Sequence, residues 1–222
     1  MKLLPFDIWY RLGRAATRIF LPTFGSVEVV GGARVPRDGP LIVAANHQSF
    51  SDPPLLVYAI SRPLFFLAKR GLFTGPLVSL ALRMWHAYPV KEDGQASDSL
   101  RWAQQTLLAG RALLVFPEGK RNPGALGEAS DGLTYLALRS GAPILPVGIT
   151  GTEKAPTLLR IPFHFQRLKV VIGEPFHLPA VTGRVDRAQL REATRLIMTH
   201  IAELLPPEYR GFYADCVRAD GA

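Results

Sequence analysis

LIVAANHQSFSDPPLL, residues 41–56, is an apolar run that stops at Asn46-His47; an aspartate stands five residues past the histidine, with two prolines behind it. Residues 41–45 offer no polar position to alternate with the apolar ones, so the run reads as a short strand buried on both faces. Asp52 ahead of Pro53 is a preferred helix cap with proline at the first helical position, and a helix is expected over 53–60. A buried strand followed by a helix is the unit from which parallel sheets covered by helices are built. His47 falls on the loop between them. It is either a loop histidine beside a helix cap or a base held by the Asp52 carboxylate, whose two oxygens can serve both purposes.

The same alternation continues downstream. PLFFLAK (63–69), RALLVFPEG (111–119), PILPVGITG (143–151) and LKVVIGEPF (168–176) read as strands rich in Val, Ile and Leu. Helices are expected over 76–85, over 97–110 with Ser97 as cap and Gly110 as stop, over 131–143 closed by Gly141 and Pro143, and over 185–205 before Pro206-Pro207. The fold class is therefore α/β, a mostly parallel central sheet flanked by helices, with an N-terminal amphipathic helix. In such sheets ligands gather at the C-terminal ends of the strands, where the loops begin.

In that first helix Asp7, Arg11, Arg14 and Arg18 form one charged stripe, while Trp9, Leu12, Ala16, Ile19 and Phe20 occupy the other face. It is either a docking helix that covers the core or an interfacial helix that lays Phe6, Trp9 and Phe20 among acyl chains with its arginines at phosphates. The chain has 222 residues, 48% hydrophobic and 20% charged, an ordinary globular balance. The expected division is an interface helix over 1–24 and one domain over 25–222. A net charge of +8 favours polyanionic partners: nucleic acid, anionic lipid or phosphorylated substrates. The basic residues are scattered, with no helix-turn-helix or aromatic platform, so no nucleic acid is expected. Cys216 alone permits no intrachain disulfide, which suits a reducing compartment. No window reaches the roughly 18–20 uncharged apolar residues of a membrane span, and Asp7, Arg11, Arg14 and Arg18 break up any signal peptide. Peripheral or monotopic attachment to the cytoplasmic face of a membrane is the expectation.

Motifs for several other chemistries are missing from the sequence: no G-x-S-x-G elbow, no G-x-x-x-x-G-K-[ST] loop, no G-x-G-x-x-G after a strand. His86, His164, His177 and His200 have no partner at metal-ligand spacing, and no metal is expected. Ser49 and Ser51 lie near His47 in no nucleophile context. A base without a protein nucleophile takes its proton from a substrate hydroxyl, a task imidazole suits near neutral pH. A second constellation lies in LLVFPEGKRNPG (113–124), where a strand runs into Glu118, Gly119, Lys120 and Arg121. These are either a surface ion pair or a phosphate clamp, bidentate from arginine and a point charge from lysine. In the second case Glu118 orients the cations or binds a hydroxyl, and Gly119 lets the backbone approach a ligand. Lys69-Arg70, ending PLFFLAK, adds positive charge at the same end of the sheet.

Together these blocks carry a resemblance. NHQSFSD has the form N-H-x-S-x-x-D, FPEGKR is close to F-P-E-G-x-R, FFLAKRGLF resembles a lysine-bearing second block, and APILPVGI (142–149) a fourth. All four occur in order over residues 25–180, and on them the chain resembles the glycerolipid acyltransferase family, best known for its 1-acylglycerol-3-phosphate acyltransferases. The resemblance implies His47 as general base, Asp52 as its orienting acid, and Glu118, Gly119 and Arg121 as binders of the acceptor's glycerol phosphate. Lys69 matches a basic residue of the second block, and Pro146 lies in the fourth. It implies no cofactor, with acyl-CoA or acyl carrier protein as co-substrate, a lysophospholipid acceptor, an anionic membrane surface and a place in phospholipid biosynthesis. Lys120 departs from the family's small Thr or Ser, and Asp131-Gly132 from its lysine before glycine. Both departures bear on the acceptor, which is then lysophosphatidate, glycerol 3-phosphate, another lysophospholipid or a lyso-aminolipid. A non-catalytic lipid-binding relative would be expected to lack the catalytic side chains that are intact here.

Overall fold

A computed structural model of the protein describes residues 5–23, 25–90, 96–154, 166–179 and 186–219. Seven strands form one sheet: β1 (Ser26–Val30), β2 (Leu41–Ala45), β3 (Leu64–Lys69), β4 (Ala87–Val90), β5 (Ala112–Val115), β6 (Ile144–Thr150) and β7 (Arg167–Ile172). Their spatial order is β1-β7-β6-β2-β5-β3-β4. Every pairing is parallel except β6 with β7, so the expected mostly parallel sheet is the sheet observed.

The quoted stretch supplies the central strand. β2 is buried at all five positions, and its side chains alternate between two cores. Leu41, Val43 and Ala45 join Leu55 and Leu56 of α2 (Asp52–Ala59), Ile60 just past its end, and Leu21 of α1 (Pro5–Thr23) on one face. Ile42 and Ala44 join α4 (Ala96–Leu108), α5 (Gly132–Ser140) and α6 (Arg187–Glu203) on the other. α3 (Gly75–Met84) lies beside α1, and α7 (Ala214–Ala219) packs on α6. Gly110 and Gly141 end α4 and α5 in the left-handed conformation expected of them. The cap expected at Ser97 is corrected: α4 already includes Ala96, so Ser97 is its second residue.

Three features of the fold go beyond the sequence expectation. β4 contains Pro89, tolerated because an edge strand leaves one row of backbone groups unpaired. β1 forms the opposite edge and is half exposed, which blurs its apolar signal. α6 starts at Asp186, whose carboxylate accepts the Gln189 N–H while the Gln189 side chain accepts the Asp186 N–H, a capping box.

α1 presents three faces rather than two. Tyr10, Thr17 and Leu21 are buried, Tyr10 Oη accepting the Leu64 N–H at 3.1 Å. Arg11 and Arg18 are exposed, while Arg14 donates to the Ser61 carbonyl at 2.9 Å. Ile8, Trp9, Leu12, Ile19 and Phe20 remain open to solvent, Trp9 at 48% and Phe20 at 52%. The side chains of Phe6 and Asp7 lie outside those described.

Candidate active site

β2, β5 and β6 are adjacent and parallel, so the loops that follow them meet at one edge of the sheet. Asn46 closes β2 by imitating a peptide group: Nδ2 donates to the Ile149 carbonyl (2.9 Å) and Oδ1 accepts the Ile149 N–H (2.7 Å). Gln48 Nε2 donates to the same carbonyl at 2.7 Å, and Gln48 Oε1 accepts the Gly124 N–H at 3.0 Å. The loop carrying His47 is thereby tied to β6 on one side and to the loop after β5 on the other.

His47 Nδ1 lies 2.7 Å from Asp52 Oδ2, and its ring stacks on Phe116 with centroids 4.0 Å apart. With Nδ1 engaged by a carboxylate, Nε2 is the nitrogen left to accept a proton. Asp52 is fully buried. Its Oδ2 also accepts the Gln48 and Ser49 N–H groups at 2.6 and 2.8 Å, and its Oδ1 accepts the Thr152 hydroxyl at 2.6 Å. The expected capping role is corrected here. The cap position belongs to Ser51, whose side chain makes no capping bond, and Asp52 is the first residue of α2. Its carboxylate turns back to the loop because two N–H groups and the imidazole converge there. All four hydrogen bonds fix the histidine, and none caps the helix.

The loop after β5 is built around Glu118. Its Oε1 accepts the His47 N–H (2.8 Å), and its Oε2 accepts Asn122 Nδ2 (2.6 Å) and the Gly127 N–H (2.7 Å). Asn122 N–H returns a bond to the His47 carbonyl at 2.7 Å. Burial raises the Glu118 carboxyl above its usual range, against the lowering effect of these bonds. Both oxygens are engaged within the protein, and Glu118 stitches the two loops together from beneath. Gly119 has φ +64°, a left-handed conformation that turns the chain toward the next two residues.

Lys120 and Arg121, with Gln48, Ser49, Pro123 and Glu153, line an open cleft of about 340 Å³ beside His47. The Arg121 guanidinium lies 3.7 Å over the Phe50 ring centroid. Among the described residues neither Lys120 nor Arg121 makes a hydrogen bond or ion pair, which leaves both charges for a ligand. Lys69 ends β3 one strand beyond β5, exposed and outside the cleft lining. Asp131 of the departing Asp131-Gly132 pair accepts Thr194 Oγ1 of α6 at 2.9 Å. Among the described residues no cluster of three His, Cys, Asp or Glu side chains is placed to hold a metal ion.

Asn46, Gln48, Asn122, Thr152 and Glu153 complete the site without having been singled out in the sequence. Asn46 and Gln48 flank the histidine within the same block. Thr152 and Glu153 follow PILPVGITG, and their one signal is position at the C-terminal end of a central strand.

Residues 26–150 match the family model described as Acyltransferase. The 1-acyl-sn-glycerol-3-phosphate acyltransferase of Bacillus subtilis (strain 168) is 24% identical over 196 residues, covering 88% of this chain and 96% of that protein. A chloroplastic 1-acyl-sn-glycerol-3-phosphate acyltransferase of Arabidopsis thaliana is 30% identical over 159 residues, 69% of this chain but 44% of the plant protein, so the match spans under half of that relative. The crystal structure of the 1-acyl-sn-glycerophosphate acyltransferase PlsC from Thermotoga maritima superposes with a TM-score of 0.66 at 26% identity, over 90% of this chain and 78% of that one.

Proposed function

The chain belongs to the acyltransferase family, and we propose that it moves a fatty acyl group from a thioester of coenzyme A or acyl carrier protein to the free hydroxyl of a lysophospholipid, in the first place 1-acylglycerol 3-phosphate to give phosphatidate. The observation that carries this reading is the Nδ1–Oδ2 contact of 2.7 Å in a histidine only 18% exposed, beside a cleft holding two unpaired cations. His47 Nε2 takes the acceptor's hydroxyl proton as the oxygen attacks the thioester carbonyl, and Asp52 stabilises the imidazolium. Collapse of the tetrahedral intermediate breaks the C–S bond, and the thiolate leaves with the proton that His47 holds. No acyl-enzyme is needed. Ser49 and Ser51 are buried, and the Ser49 hydroxyl accepts the Ser51 N–H at 3.2 Å. Arg121 and Lys120 hold the acceptor's phosphate, with Arg121 kept in place by Phe50.

The amphiphilic acceptor accounts for α1. Its exposed apolar face adjoins α3, where Leu77 is 81% exposed and Leu80 is also open, and the adjacent Arg11 and Arg18 suit anionic headgroups. α1 packs on α2, the helix that begins with Asp52, so a monolayer gripping α1 borders the element that carries the site. Among the described residues no helix is long and apolar enough to cross a membrane. Attachment to the cytoplasmic leaflet through residues 1–24, with 25–222 as the catalytic body, follows from this reading.

The test is thiol release from acyl-CoA in the presence of lysophosphatidate. His47→Ala should lower turnover by about 10²- to 10⁴-fold, the usual worth of a general base. Turnover near the wild-type value would remove His47 from the mechanism.

A further inference from the structure

Tyr209 joins the two walls of the cleft from a segment that follows α6. Pro206-Pro207 stop that helix, and Pro207–Tyr209 form a short 3-10 turn in which the Tyr209 N–H donates to the Pro206 carbonyl at 2.9 Å. The Tyr209 carbonyl accepts the Leu126 N–H at 2.9 Å, and the Phe212 N–H donates to the Leu126 carbonyl at 3.0 Å. Gly211 has φ +46°, and a Cβ there would lie 2.2 Å from the Leu126 carbonyl oxygen, so the segment lies directly on the loop after β5. From that seat the Tyr209 hydroxyl crosses to the turn after β6 and donates to Glu153 Oε1 at 3.0 Å. Burial, and then the neighbouring carboxylate, raise the Tyr209 pKa, which keeps the hydroxyl protonated and donating. Tyr209 and Glu153 both lie beyond the residues 26–150 that match the family model.

Glu153 lines the same cleft as Lys120 and Arg121, yet among the described residues no ion pair joins it to either. Its Oε2 is shielded from water and has no donor among the described residues. A carboxylate so placed gains by turning onto a neighbouring cation, since arginine takes a carboxylate through two parallel hydrogen bonds. The bond that opposes this turn is the one from the Tyr209 hydroxyl.

We propose that Tyr209 is a positioning residue for anion binding: its hydroxyl holds the Glu153 carboxylate to the wall of the cleft and away from Lys120 and Arg121, so that both cations stay open to the acceptor's phosphate. The inference rests on the acyl-transfer reading above, in which those two cations hold that phosphate. Without the hydroxyl, the freed carboxylate is an internal competitor for the same charges. Tyr209 thus touches neither the acceptor nor the reacting atoms and acts only through Glu153.

The experiment compares wild type, Tyr209→Phe, Glu153→Gln and the double variant. Thiol release from acyl-CoA gives kcat and the KM for lysophosphatidate, and inorganic phosphate is titrated into each protein as a ligand that needs no turnover. Tyr209→Phe keeps the ring and the backbone bond to Leu126 and deletes the hydroxyl alone. It should raise the lysophosphatidate KM and the phosphate Kd roughly fivefold to tenfold, the worth of a good ion pair or a modest charge-assisted hydrogen bond, with kcat within about twofold. Glu153→Gln should bind both ligands at least as well as wild type. Added to Tyr209→Phe it should restore the wild-type values, because an amide does not compete for the cations; a tyrosine with a merely structural role would gain nothing from that change of charge. A Tyr209→Phe variant with unchanged KM and Kd overturns the proposal, as does a double variant that keeps the raised values. If Tyr209→Phe does not fold, the Glu153→Gln comparison decides: binding as tight as wild type or tighter upholds the restraint, and weaker binding overturns it. Absence of thiol release by wild type removes the acyl-transfer reading, and the phosphate titrations then judge the restraint on their own.

Discussion

Replacing Asp52 with asparagine separates the charge of the buried group from its shape. In the wild type Oδ2 receives His47 Nδ1, Gln48 N–H and Ser49 N–H, and Oδ1 receives the Thr152 hydroxyl. An amide with its oxygen in the Oδ2 position keeps the first three bonds. Its NH₂ then faces Thr152 Oγ1, a hydroxyl that can turn from donor to acceptor. The opposite flip sets NH₂ against three donors, with about 1–3 kcal/mol lost for each one left unsatisfied, so a single orientation is populated and the histidine keeps its tautomer. What disappears is the negative charge behind the imidazolium. A hydrogen bond to a charged group contributes about 1.5–3 kcal/mol and a neutral one about 0.5–1.5. A difference of about 1–2 kcal/mol lowers kcat/KM roughly fivefold to thirtyfold, well short of the loss of about 10⁴ where an amide imposes the wrong tautomer. Asp52→Ala strips the acceptor from all four donors and costs about 4–12 kcal/mol, comparable to the whole stability of a domain. Thiol-release kinetics and thermal melting of both variants check the reasoning. An asparagine variant within twofold of wild type shows that the charge is unused, and one that melts as low as the alanine variant shows that the assigned hydrogen bonds are wrong.

Trp9→Glu combined with Phe20→Glu alters the exposed face of α1 while sparing Tyr10, Thr17 and Leu21. Each apolar side chain contributes about 1.5–3 kcal/mol when buried, so sedimentation with anionic vesicles should weaken by at least about 10²-fold at an unchanged melting temperature; unchanged vesicle binding leaves α1 a docking helix only. Glu118→Gln probes the buried carboxyl: a carboxyl whose pKa folding raises contributes stability that is full below its unfolded value and is lost as pH climbs through the folded one. The wild-type minus variant difference in melting temperature should therefore fall from about pH 4 toward neutrality, and a difference that grows with pH contradicts the assigned shift.

The central strands and long helices were legible because their patterns extend over many residues: β2 in five consecutive apolar positions, α6 in a period that runs until Pro206. β4 was not, since AYPV is four residues long with a proline, and only its place at the sheet edge makes that strand tenable. The antiparallel entry of β7 was hidden for a different reason, because strand direction is a property of the connection and not of the strand's own residues. Within the site, His47 and Asp52 stood out through their spacing. The end to which Asp52 turns did not. A carboxylate at a helix start looks the same in sequence whether it caps the helix or reaches back, and the choice was made by the His47 ring and the Gln48 and Ser49 N–H groups, joined by the Thr152 hydroxyl from one hundred residues away.

The two motif blocks are a single structure held by strand register. Ala44 of β2 stands opposite Val115 of β5. Three residues beyond that pair, in the loops that leave the two parallel strands, come His47 and Glu118, joined by the 2.8 Å bond from the histidine's N–H to the carboxylate. A slip of two residues keeps every β2 side chain on its own face of the sheet, since side chains alternate, yet displaces Glu118 by about 7 Å. Hydrophobic burial alone would tolerate that slip poorly but not forbid it. The slip is opposed locally by Glu118, which would lose His47 while keeping Asn122 and Gly127, and by Asn122, whose N–H would lose the His47 carbonyl. The buried glutamate thus helps select the register that levels His47 with Lys120 and Arg121. On the proposed acyl-transfer reading Glu118 would act through the position of the histidine, and its raised pKa is the cost of placing a carboxylate where two loops are fastened out of reach of water.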